Sequence, residues 1–99
     1  MIIKDILTQL EQAQNGPVIK VLEKGEHFKV IVLAFKKGME LKAHCTPIPA
    51  RLVVINGEVN YLETDRSLIL TKFDDLPIPV NVQHSVKALE DSLCLLIQG

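Results

Sequence analysis

The chain has 99 residues and a formal net charge of −1, with 47% hydrophobic and 23% charged residues, the profile of one ordinary globular domain that can bury roughly two thirds of its unfolded surface without disulfides. It carries no basic excess or Lys/Arg stripe, which excludes a nucleic-acid footprint, and its two cysteines, Cys45 and Cys94, lack CxxC spacing and read as reduced, apolar packing residues. Lys4, Asp5 and Glu11 interrupt the start where a signal peptide needs an unbroken apolar stretch, and no run approaches the roughly 18 apolar residues of a membrane span, so the expected setting is cytoplasmic.

Ile3, Ile6, Leu7 and Leu10 recur at helical spacing and predict an amphipathic helix over residues 2–14, closed by Asn15-Gly16-Pro17 through a left-handed cap. After Pro17 the helical period disappears. Short runs rich in Val, Ile and Leu predict strands over 17–23, 27–36, 39–44, 50–55, 58–63, 67–72, 76–79, 82–89 and 92–97, separated by turn residues such as Lys24-Gly25, Lys37-Gly38 and Thr64-Asp65-Arg66. Asn56-Gly57, lying between LVVI and EVNYL, predicts a two-residue hairpin turn with positive φ at both positions.

Many short strands spaced about ten residues apart, with no helical crossovers, argue for an antiparallel sandwich or barrel. RLVVI and SLILT are apolar on both faces, which suits a sheet covered on each side by a facing sheet or by a partner subunit. No internal repeat or linker interrupts the pattern.

Two spacings carry more specific information. Gly38 is followed after five residues by His44, then by Thr46 two positions on and by Gly57 ten residues later; Pro79, Asn81 and His84 form a second group. Together these resemble the two motifs of the cupin superfamily, whose first motif reads glycine, five residues, HxH, three or four residues, glutamate, six residues, glycine. Its second reads glycine, five residues, PxG, two residues, histidine, three residues, asparagine. The resemblance covers residues 38 to 88, and small bacterial single-domain cupins with a short N-terminal helix are the most similar group. It implies an all-β, double-stranded β-helix (jelly-roll) barrel over residues 17–99, with the helix and its cap over 1–16, in one RmlC-like cupin domain. It also implies a homodimer, and a divalent Zn, Ni, Mn or Fe inside the barrel.

The match is uneven. Gly38, His44, Gly57, Pro79 and His84 fall on the family's pattern, whereas Thr46 stands where the second histidine belongs, Ala50 at the glutamate, Phe73 and Asn81 at two glycines and Ala88 at the asparagine. Asn81 can still adopt the left-handed conformation. Thr46 and Ala50 cannot replace an imidazole and a carboxylate, and two imidazoles alone make a weak, open metal site, so the expectation leans to no metal. Cys45, beside His44, points outward if His44 points inward, because strand side chains alternate. Arg51 is a candidate ligand contact only if the Pro47–Pro49 segment shifts the register by one; His27 reads as a surface residue.

Three readings stand on these residues. In the first the protein is a cupin barrel, non-catalytic or of unknown activity, binding a small molecule in its interior near His44 and His84, with Thr46 and Arg51 as further contacts. In the second, His44 and His84 are metal ligands of a dioxygenase- or isomerase-like enzyme. In the third the barrel is a regulatory or interaction module whose function lies in its dimer surface, so that its interior histidines can be replaced without effect while surface residues cannot. No P-loop, Rossmann fingerprint, GxSxG or HExxH is present.

Overall fold

A computed structural model describes all residues from Met1 to Gly99. One helix, α1 (Ile2–Gln12), precedes nine strands: β1 (Val18–Lys24), β2 (Lys29–Phe35), β3 (Glu40–His44), β4 (Ala50–Asn56), β5 (Glu58–Glu63), β6 (Arg66–Thr71), β7 (Asp75–Ile78), β8 (His84–Ala88) and β9 (Ser92–Gln98). They form a five-stranded sheet in the order β1-β2-β9-β4-β7 and a four-stranded sheet in the order β3-β8-β5-β6, with every recorded strand pair antiparallel. This is the all-β jelly roll expected from the sequence, with strand ends within about two residues of those the turn residues mark.

The sheets face each other across one core. Leu33 and Phe35 of β2, Leu52 and Val54 of β4 and Cys94 of β9 meet Val59 and Tyr61 of β5 and Val86 of β8, all nearly or wholly inaccessible. Period-two alternation selects them: in β4, Ala50, Leu52 and Val54 are buried while Arg51 is exposed. Burial pushes the Cys94 thiol up to about 12, so it packs as a protonated apolar side chain, whereas Cys45 is exposed.

Two local expectations are corrected. The Asn56-Gly57 pair does not close a hairpin. β4 belongs to the five-stranded sheet and β5 to the four-stranded one, so the chain changes sheets here. Gly57 alone has positive φ, 97°, and a Cβ at this position would collide with Ser92 Oγ and the Asp91 carbonyl. Ser92 Oγ secures the corner, accepting from Glu58 N at 3.1 Å and donating toward the Glu90 and Glu58 carbonyls. The β5–β6 pair, joined at Thr64-Asp65, is a true hairpin.

The helix ends two residues earlier than its pattern suggests, with Ala13 extended at φ −73° and ψ 140° and without a left-handed residue at Asn15 or Gly16. A distant side chain supplies the cap instead: Lys36 Nζ donates to the Glu11 and Ala13 carbonyls at 3.1 and 2.9 Å, putting a cation at the negative end of the helix dipole. Ile6 and Leu10 bury α1 against Val32 and Ala34, on the outer face of the five-stranded sheet.

Candidate functional site: a histidine pair at the rim of the barrel

His44 reaches the interior through an irregularity in its strand. Leu41 lies opposite Val86 and His44 opposite His84, so β3 spends three steps where β8 spends two. Strict alternation from Leu41 would turn Ala43 inward and His44 outward; the bulge reverses this. His44 Nδ1 closes it with a hydrogen bond to the Lys42 carbonyl at 2.9 Å. Across the ladder, His84 Nδ1 bonds the Val82 carbonyl at 3.1 Å. A carbonyl can only accept, so both Nδ1 atoms carry a proton, and in the neutral form of either ring it is Nε2 that presents the lone pair.

The two rings lie 4.3 Å apart between centroids, tilted by 59°. His84 is 3% exposed and stacks at 5.9 Å on Tyr61. Burial, reinforced by the neighbouring His44, lowers its pKa below the ordinary imidazole value, and it is neutral at pH 7. No buried side-chain nitrogen or oxygen is left without a partner, so His84 Nε2, which makes no hydrogen bond, is accessible to solvent.

The strand register extends the row. His44 is opposite His84, His84 opposite Glu63 and Glu63 opposite Arg66, which spans the four-stranded sheet. Glu63 accepts from Arg66 Nε and Nη2 at 2.7 and 2.8 Å and from the Tyr61 hydroxyl at 2.6 Å. These bonds, with Arg66 first, hold its carboxyl below the usual carboxylate range. Burial and the Glu63 bond raise the Tyr61 phenol well above its ordinary value. Tyr61, Glu63 and Arg66 were not singled out from the sequence. The available signal was YLETDR, which places Tyr61 and Glu63 on one face of a strand with Arg66 just across the turn.

The remaining candidates are placed elsewhere. Thr46 Oγ1 accepts from Ile48 N at 3.2 Å and its carbonyl accepts from Asn81 N at 2.8 Å, so it ties the β3–β4 loop to the β7–β8 loop. Asn81 has φ 61°, the left-handed conformation expected of it. Arg51 is not brought to the histidines: no register shift turns it inward, and it forms an ion pair with Asp75 on the opposite face of the strand from Ala50. His27 is exposed. The core between the sheets is packed by Tyr61 and its neighbours, and the cavity touching His84, about 160 Å³, is lined by Ala43, Leu62, Glu63, Thr64, Gln83 and Ser85 and does not include His44.

This donor set does not fit a resident metal. Two imidazole nitrogens are free, but both oxygens of the nearest carboxylate, Glu63, are taken by Arg66, Ala50 offers a methyl group, and nowhere do three His, Cys, Asp or Glu side chains gather in metal-binding geometry.

Fold and site together define a cupin-type barrel with a reduced first motif. The chain matches an RmlC-like cupin protein from Desulfovibrio desulfuricans with a TM-score of 0.78 and 25% identity, over 85% of this chain and 82% of that one. A cupin 2 conserved barrel domain protein from Leptotrichia buccalis matches with a TM-score of 0.79 and 27% identity, over 93% of this chain and 45% of the other. A cupin superfamily protein from Desulfitobacterium hafniense gives 0.80 at 16% identity, over 87% and 79%, a likeness of fold alone. No family model and no curated protein matches. The chain thus has the small RmlC-like cupin fold of the proteins it resembles. None of its helices is long and apolar enough to cross a membrane.

Proposed function

We propose that this cupin domain binds a small molecule without a resident metal, and that it receives the ligand at the barrel rim, on the Nε2 atoms of His44 and His84. The observation that carries this reading is the anchoring of both Nδ1 atoms to backbone carbonyls. It fixes the rings at low entropic cost and leaves two hydrogen-bond acceptors side by side. Such a pair suits a ligand with two donors, hydroxyl, amide or amine, and the Tyr61–Glu63–Arg66 cluster stiffens the wall behind it.

The test is a nitrogen-detected NMR titration of the imidazoles with a panel of small diols, amides, amines and carboxylic acids. The reading expects shifts at Nε2 of His44 and His84, lost in His44→Ala. Silence across the panel, or one stoichiometric equivalent of transition metal in the dialysed protein, overturns it.

The same anchoring favours a second reading, because protein ligands to metals are oriented through the other ring nitrogen. In that reading a divalent ion is recruited only together with a chelating substrate. It expects Zn²⁺ uptake to require both histidines; uptake unchanged in His44→Ala and His84→Ala rules it out.

A further inference from the structure

The segment that leaves helix α1 and the turn between β2 and β3 flank an open groove of about 790 Å³, with Gln14 and Asn15 on one side and Lys36, Lys37 and Lys42 on the other. It is far larger than the cavity at His84 and shares no lining residue with it. Its size falls in the range of small-molecule sites. Ala13 and Met39 are the apolar exceptions in a mostly polar lining, which suits a polar ligand.

Charge narrows the class. Three ammonium groups meet at this groove, although the chain as a whole carries a formal net charge of −1. None of the three forms an ion pair, since the salt bridges of the molecule lie at Asp5, Glu26, Asp75 and Glu63. The one carboxylate of the lining, Glu40, lies opposite Lys87 in the β3–β8 ladder, which offsets its charge. Asp91 accepts from Lys37 N at 2.8 Å, and it lines a different cavity beside Leu7 and Leu93.

One of the cations is already fixed. Lys36 is half-buried, and its Nζ spends two N–H groups on the Glu11 and Ala13 carbonyls, which leaves a third for a ligand at little further ordering cost. Its full positive charge outweighs the roughly half a negative charge at the end of helix α1. The backbone carrying it is a closed turn, with Met39 N bonded to the Lys36 carbonyl at 3.0 Å and Gly38 at φ 89°. Lys37 and Lys42 are exposed, and their ammonium groups make no hydrogen bond within the protein. A lysine acts as a point charge, without the planar fork by which arginine matches a carboxylate, so a lysine cluster selects for density of charge.

We propose that this groove binds a small multivalent anion, the phosphoryl groups of a phosphorylated metabolite, through Lys36, Lys37 and Lys42, with amide donors from Gln14 and Asn15. Three lysines at one turn make no track along a nucleic-acid backbone, so the ligand is a small molecule.

Chemical-shift mapping of the full chain with inorganic pyrophosphate, against sodium acetate at equal ionic strength, tests this. Pyrophosphate is expected to shift the backbone amides of residues 14–15 and 36–42 saturably, and acetate is not. The double variant Lys37→Gln with Lys42→Gln leaves the helix cap intact and is expected to weaken pyrophosphate binding at least about tenfold. Lys20→Gln with Lys72→Gln removes the same charge from exposed sites elsewhere and is expected to bind as the wild type does. Circular dichroism checks that both variants are folded, and the wild-type mapping decides alone if either is not. No saturable shift in the wild type, shifts centred on other residues, an equal response to acetate, or equal weakening in the two double variants overturns the proposal.

Discussion

At the scale of single residues, the chemistry of the rim is set by how its groups are held. His84 is kept neutral by burial and by the adjacent His44, and Glu63 is kept ionised by Arg66. Both shifts make the folded state resist protonation. Below about pH 6.5 the unfolded chain takes up the His84 proton first, so stability falls as the pH is lowered from there toward the folded value. The Glu63 contribution is present above its ordinary pKa and is lost at more acid pH, as the pH falls through the lowered folded value. Urea midpoints measured from pH 8 to pH 5 are therefore expected to decline for the wild type, and to flatten for His84→Gln, whose side chain does not titrate.

At the scale of elements, backbone conformation is spent at defined corners. Gly57 lies where the chain crosses between sheets, with positive φ and no room for a Cβ against Ser92 and Asp91. Gly57→Ala is expected to destabilise by more than about 1 kcal/mol in chemical denaturation. Phe73, between β6 and β7, is the opposite case: a 74% exposed aromatic residue at φ 71°, standing where the resembled family has glycine. Left-handed backbone costs a non-glycine residue roughly 1–2 kcal/mol, partly offset by the entropy glycine loses on folding. Phe73→Gly is thus expected to stabilise, by at most about 1 kcal/mol. The bulge in β3 belongs to the same scale, since it decides which of Ala43 and His44 looks inward.

At the scale of the whole molecule, the two sheets share one core that runs from Phe35 and Leu33 through Val54 to Tyr61 and Val86. Neither sheet can lose the other and keep its inner face dry, so unfolding is expected as a single cooperative transition with coincident fluorescence and circular dichroism midpoints. Phe35 is fully buried at the join between β2 and the opposite sheet. Phe35→Ala is expected to cost about 3–5 kcal/mol, comparable to the whole stability of a small domain, and to shift both probes together.

Much of this architecture is local information. Strand extents follow from alternation and turn residues, Gly38 and Asn81 mark left-handed backbone at φ 89° and 61°, and the spacing of His44 and His84 already suggested a pair. Such features depend on a residue and its immediate neighbours, whose steric limits are written into the chain. Pairing between distant segments is not. That β4 leaves β5 at Gly57 for the other sheet, that Lys36 rather than Gly16 caps the helix, that a bulge aims His44 inward, and that Glu63 is consumed by Arg66 and Tyr61 were decided only in the tertiary structure. Each is settled by which surfaces the fold buries together and which polar groups must then find partners across it, and that choice is made by the chain as a whole.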